Sequence, residues 1–310
     1  MKAMAADVLR GLTDRPKWLP PKYFYDPAGS RLFDDITRLP EYYLTRAEEA
    51  LLATVAPDLM QTIRPRDIVE LGSGFSIKTV RLLSAVDGDR APLRYTPVDV
   101  DADTVAAAAR RLLRDDPRLE VHAVIGDFER HLVHVPPPSG RRLVLFLGST
   151  IGNLGAAQRR GLLRGIGDLL GPDGHLLLGV DLVKDVATLE AAYDDAAGVT
   201  AAFNRNVLRV LNRDLGADFR PEAFRHYAWY NAAASRIEMH LVAESPQTIH
   251  ISAIDLIVQV DAGESIWTEN SYKFTRPSVE AMLRDAGLHL VRWITDERFA
   301  LVVATTPPRG

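Results

Sequence analysis

From residue 67 onward, short apolar runs alternate with stretches whose apolar positions recur at helical spacing. DIVELG (67–72) predicts a strand and SIKTVRLLSAV (76–86) a helix. YTPVDV (95–100) predicts a second strand, and DADTVAAAARRLLRDD (101–116) a helix N-capped by Asp101 or Asp103. LEVHAVIGDF (119–128) holds the third strand and its exit, and RRLVLFLGST (141–150) the fourth. That fourth run is apolar without alternation, as in a strand buried on both faces. AAQRRGLLRGIGDLL (156–170) is helical in pattern, and GHLLLGVDLV (174–183) is the fifth strand. Strand, helix, strand at this rhythm predicts a parallel sheet with right-handed crossovers, hence an open, doubly wound, Rossmann-like α/β domain.

After residue 184 the rhythm breaks. Residues 189–219 read as nearly continuous helix, and 223–273 alternate in a β manner. RPSVEAMLRDAG (276–287) returns to helix, and LHLVRWITD and FALVVATT read as a hairpin that completes the sheet. The pattern predicts two domains: 46–183 plus 274–310, and a smaller α+β domain of 1–45 plus 184–273. VHVPPPSGR (133–141) is a local loop rather than a linker.

Composition narrows the function classes. The 310 residues are 47% hydrophobic and 25% charged, ordinary for a globular protein. Lys and Arg number 37 against 41 Asp and Glu, a net charge of −4 with the signs interspersed, which argues against a nucleic-acid binder. The absence of cysteine excludes disulfides, thiolate metal sites and cysteine nucleophiles. MKAMAADVLRGL is an amphipathic pattern rather than a signal peptide, and no apolar run is long enough to span a bilayer. A cytoplasmic monomer is expected, without a membrane partner. His131 and His134 have helical spacing but no evident third ligand, so no metal site is expected.

The candidate chemistry begins at VELGSGFSIKT (69–79), where Gly72 and Gly74 follow the first strand at the switch point of such a sheet. The NAD fingerprint requires a third glycine where Ile77 stands. Glu70 leads the motif, Asp99 ends the second strand, and Asp127 and Phe128 follow the third. A carboxylate at Asp99 suits two ribose hydroxyls, and an Asp-Phe pair suits an adenine amino group and ring face. Together they point to an S-adenosyl-L-methionine site of class I methyltransferase type.

PPKYFYDPAGSRLFDDITRLPEYYLTRAE (20–48), VELGSGFSIKT, FLGSTIGNL (146–154), DLVKD (181–185), YDDAAGVTAAFNRNVL (193–208), RIEM and TENSYKF closely resemble the histidine Nα-methyltransferases of ergothioneine biosynthesis. The blocks run in order along essentially the whole chain. The resemblance implies trimethylation of the α-amino group of L-histidine to hercynine, with S-adenosyl-L-methionine as donor. It also implies that the smaller domain binds the amino acid. Cofactor positions fall on Gly72, Lys78, Asp99, Asp127, Phe128 and Gly148. Tyr42, Asn153 and Tyr193 fall at the α-amino and carboxylate end, and Glu269 and Ser271 at the imidazole. Tyr25 and Phe33 line the pocket near the amine, and Met239 packs beside the ring. Asn270, Tyr272 and Leu44 depart from the family pattern.

The chemistry suits these residues. Methyl transfer to an amine is an in-line displacement, so positioning matters and no covalent nucleophile is required. The amine must be neutral to react, and phenols around it favour that form. Tyr25, Tyr42 (with Asn153 the candidate catalytic residues) or a water are able to take its proton. Aromatic faces accommodate the growing cation. The alternatives are the same N-methylation of another amino acid such as tryptophan or tyrosine, a non-catalytic S-adenosylmethionine-binding module, and an NAD-dependent oxidoreductase. Glu269 beside Ser271 favours an imidazole over a carbocyclic ring.

Overall fold

The computed structural model describes residues 2–86, 92–171 and 173–307. The chain divides into two compact units: Met1–Tyr43 with Lys184–Tyr272, and Leu44–Val183 with Lys273–Gly310.

The second of these units is built on one sheet. Its strands run in the order His289–Thr295, Phe299–Thr305, His175–Asp181, Arg142–Phe146, Asp67–Leu71, Leu93–Asp99 and Leu119–Val121. From His175–Asp181 to Leu119–Val121 the pairing is parallel. The chain steps outward from Asp67–Leu71 in one direction and then crosses to the other side at Arg142–Phe146, so the switch point lies at the end of Asp67–Leu71. Every residue of these two central strands is buried, which explains why neither alternates apolar with exposed polar positions, and their charged residues Asp67, Glu70 and Arg142 are paired inside the protein. The predicted hairpin completes the sheet, with its later strand antiparallel to His175–Asp181 and its earlier strand at the edge. The predicted third strand is broken. Leu119–Val121 and Val124–Ile125 each pair with Leu93–Asp99, separated by the exposed His122 and Ala123.

A buried ion network closes the opposite end of the sheet. Asp67 is fully buried and accepts two hydrogen bonds from Arg142, at 2.6 and 3.1 Å, and others from Arg94. Arg142 also donates to the carbonyls of Leu169 and Pro136, so the proline-rich loop is fastened to the strand ends.

The first unit holds a four-stranded sheet in the order Lys17–Trp18, Ser265–Tyr272, Arg236–Ala243 and Phe224–Asn231, and a hairpin of Gln247–Ile251 with Leu256–Val260. Helix Val199–Leu215 packs against that sheet and against helix Pro27–Arg38. The long helical pattern at 189–219 is in fact two helices, Val186–Ala191 and Val199–Leu215. The cause is a new helix start. Asp195 accepts the N–H groups of Val199 and Thr200 at 2.9 and 2.7 Å, which satisfies donors that a continuous helix would bond internally. No helix among the described residues is long and apolar enough to cross a membrane.

Replacing Asp67 leaves a fully buried guanidinium unpaired. Asp67→Ala is expected to lower the unfolding free energy by about 3–5 kcal/mol in urea titrations. A loss below about 1 kcal/mol, the worth of a surface pair, contradicts a structural role for the network.

Candidate active site

Gly72 follows the first strand at φ +69°, a backbone conformation that side chains disfavour. Its N–H donates to the Val98 carbonyl at 2.8 Å, which ties the loop to the second strand. Asp99 ends that strand. Its Oδ2 accepts the Gly74 N–H at 2.8 Å and its Oδ1 the Asp101 N–H at 3.1 Å. Asp101, rather than Asp103, caps the next helix. Phe128 lies 3.8 Å from the position a Gly72 side chain would take, and packs edge-on against Phe146. Asp127 accepts the Glu129 N–H at 2.9 Å and so caps its own short helix.

Glu70 lies beneath the loop. It accepts hydrogen bonds from Thr79 Oγ1 at 2.5 Å and from the Tyr95 hydroxyl, which also pairs with Ser76 Oγ at 2.8 Å. Burial pushes the Glu70 carboxyl up to about 7 and raises the Tyr95 phenol as well. The acid that leads the glycine motif therefore braces the loop from below.

The fourth strand exits through Gly148, whose N–H is held by Glu48 Oε1 at 2.7 Å. Glu48 also pairs with Lys78, in the first turn of helix Ile77–Ser84. Asn153 closes the turn Thr150–Asn153 just beyond.

In the other unit, aromatic rings form a connected run. Tyr25 meets Phe33 at 5.6 Å between centroids, Phe33 meets Tyr42 at 6.2 Å, and Tyr42 meets Tyr193 at 6.1 Å, all edge-on. The Tyr193 hydroxyl is hydrogen-bonded to Ser271 Oγ at 2.7 Å. Glu269 and Ser271 are two residues apart on Ser265–Tyr272 and pair with Met239 and Ile237 of the next strand. Asn270 and Tyr272 point to the opposite face, where the Tyr272 hydroxyl accepts from Arg236 at 2.7 Å. A bulge at Thr268 sets this register, and Thr268 Oγ1 bonds the Met239 carbonyl at 3.0 Å. Buried His226 braces the run. Its Nε2–H donates to the Tyr193 carbonyl and its Nδ1 accepts from Asn204, both at 2.8 Å, and burial lowers its pKa so that it stays neutral.

Comparison with known proteins decides between the nucleotide alternatives. The family described as "Histidine-specific methyltransferase, SAM-dependent" matches residues 4–306. The chain belongs to this family. It is 51% identical to the histidine N-alpha-methyltransferase of Mycobacterium tuberculosis, over 95% of this chain and 92% of that one. Identity and coverage are the same with the enzyme of that name from Mycolicibacterium smegmatis. It is 29% identical to ergothioneine biosynthesis protein 1 of Neurospora crassa, over 93% of this chain and 33% of that longer protein.

The groups at the strand ends fit the methyl donor that this methyltransferase family uses. The loop offers glycine backbone, the buried Ser73 Oγ has no hydrogen-bond partner, and the Lys78 ammonium lies 3.9 Å from where a Gly148 side chain would begin. Asp99 and Phe128, with Asp127 next to it in the chain, come together around the Gly72–Gly74 loop, and Lys78 lies with Gly148 at the exit of the fourth strand. In the other unit Tyr25, Phe33, Tyr42, Tyr193 and Ser271 form one contiguous set, with Glu269 and Met239 paired beside it. Tyr193 and Ser271, which the resemblance assigns to opposite ends of the amino acid, touch each other directly.

Two residues of this methyltransferase escaped the sequence reading. Phe203 packs at 4.7, 5.6 and 5.9 Å from Phe24, Tyr25 and Phe33, yet in AAFNRNVL it looks like ordinary helix core. Glu48 sits in RAEEALL, where a glutamate reads as a solvated helix face. Among the described residues no cluster could hold a metal ion, and His131 and His134 simply stack at 5.8 Å.

Because the folded protein holds the Glu70 proton more tightly than the unfolded chain does, that stabilisation is whole below the ordinary carboxylate range. It is lost as pH rises to about 7. Relative to wild type, Glu70→Gln should therefore gain in Tm between about pH 5 and pH 8 by a few degrees. A difference in Tm that stays constant with pH contradicts the assignment.

Proposed function

We propose that the protein transfers three methyl groups in succession from S-adenosyl-L-methionine to the α-amino nitrogen of L-histidine. The product is hercynine, Nα,Nα,Nα-trimethyl-L-histidine, for ergothioneine biosynthesis. The observation that carries this is the aromatic run ending in the Tyr193–Ser271 hydrogen bond, with Glu269 on the same strand face. The names of the two relatives at 51% identity support it. In this proposal 46–183 plus 274–310 form the methyl-donor domain, and 1–45 plus 184–273 the amino-acid domain. The enzyme acts on a free small molecule as a cytoplasmic monomer, without nucleic acid or membrane.

S-adenosylmethionine, when bound, supplies an electrophilic sulfonium methyl. Asp99 retains lone pairs beyond its two backbone bonds and takes the ribose hydroxyls. Phe128 and Asp127 take the adenine, while Lys78 and the Gly148 turn take the amino-acid end of the donor. Tyr42, Asn153 and Tyr193 hold the α-amino and carboxylate groups of histidine. The phenols of Tyr25 and Tyr42 keep the amine neutral, and the faces of Tyr25, Phe33 and Tyr42 accept the cation as it grows. Glu269 accepts an imidazole N–H, Ser271 stands beside it, and Met239 packs against the ring. An apolar side chain in that place offers no N–H to the Glu269 carboxylate and forgoes a charged hydrogen bond, which penalises leucine or phenylalanine.

Incubation with S-adenosylmethionine and a pool of the twenty amino acids, read by mass spectrometry, is expected to show three methyl groups on histidine and none elsewhere. Glu269→Gln should raise KM for histidine about 10- to 100-fold, the loss of one charged hydrogen bond, with a smaller change in kcat. Trimethylation of a different amino acid moves the substrate, and no methylation at all removes the proposal.

A further inference from the structure

Glu48 projects from helix Tyr43–Ile63 with no solvent exposure. Its carboxylate meets three chain segments. Oε1 accepts the Gly148 N–H at 2.7 Å, and the group pairs with the Lys78 ammonium. The third segment is strand His175–Asp181. A Cβ on Gly179 would lie 2.1 Å from Oε1, so this strand position has to lack a side chain for the carboxylate to fit. A carboxylate buried this completely is tolerated only when paired and hydrogen-bonded, so Lys78 and the Gly148 turn are held together through it. Lys78 thereby has its head beside Gly148, on the exit of the fourth strand. Asp99 and Phe128 are attached to the Gly72 loop, at the exit of the first.

We infer that Glu48 is a positioning residue that aims the Lys78 ammonium and the Gly148 turn at the amino-acid tail of the methyl donor. This rests on the proposed use of S-adenosylmethionine at these strand ends. Glu48 reaches the donor through Lys78 and Gly148, so its influence is confined to ligands that have a tail. Glu48→Gln separates this role from packing. The amide oxygen can still accept from Gly148, but the remaining position becomes an NH2 facing the Lys78 ammonium, donor against donor. Lys78 must then turn away while volume and backbone anchoring are kept.

The test is calorimetric binding of two probes to the intact 310-residue chain, S-adenosylhomocysteine and 5′-methylthioadenosine, which shares the nucleoside and thioether but has no amino-acid tail. Glu48→Gln should weaken S-adenosylhomocysteine about tenfold or more, the scale of one charged hydrogen bond. Methylthioadenosine affinity should change less than about twofold, since its contacts lie at the Asp99 end. Gly179→Ala, which displaces the carboxylate sterically, should reproduce that selective loss. Equal weakening of both probes, or no change in either, overturns the inference while leaving the donor site intact. Failure of wild-type protein to bind S-adenosylhomocysteine overturns the donor assignment itself, and the inference with it.

Discussion

A strand that ends at the carboxyl edge of a parallel sheet hands the chain to a loop whose backbone N–H groups have no ladder partner. In this protein carboxylates take up that role. Asp99 holds the Gly74 and Asp101 N–H groups, and Glu48 holds that of Gly148. Glu70 braces the same loop from beneath through Thr79 and Tyr95. The shape of the site follows from these anchors. The loops are fixed in place by the protein, so a ligand meets a shape that it does not have to order, which is how preorganisation strengthens binding.

The unit of Met1–Tyr43 with Lys184–Tyr272 is built on a different principle. Helix Val199–Leu215 acts as a spine, with Phe203 under the rings of Tyr25 and Phe33, and Asn204 fixing His226. Asn206 anchors the Tyr25 segment by donating to Asp26 Oδ1 at 2.8 Å. Neutral His226 in turn fixes the Tyr193 backbone, and Tyr193 reaches Ser271 on the sheet. Residues far apart in sequence are thus locked into one aromatic and hydroxyl surface. Such a surface suits a nitrogen that must first be uncharged and finally be quaternary.

Much of this was legible in the sequence where a period or a turn residue carried the signal. The five parallel strands, the switch point at Gly72 and the terminal hairpin were all readable from apolar runs and their spacing. Residues 189–219 misled because helical periodicity continues through the break, and Asp195, whose carboxylate takes the first N–H groups of the new helix, is one acid among several. The third strand looked whole because nothing in LEVHAVIGDF marks His122 and Ala123 as a gap. Asp99 and Asp127 were legible as acids at the strand ends, but not as the loop anchor and helix cap that they are. Glu48 was invisible for a physical reason. Its meaning comes from Gly148, Lys78 and Gly179, which only the folded sheet brings around it.

The most direct measurement is a crystal structure of the protein with S-adenosylhomocysteine and L-histidine bound. The account predicts ribose hydroxyls on Asp99, the homocysteine carboxylate at Lys78, and the imidazole against Glu269 and Ser271. An imidazole bound elsewhere, with Glu269 in contact only with solvent, would contradict it.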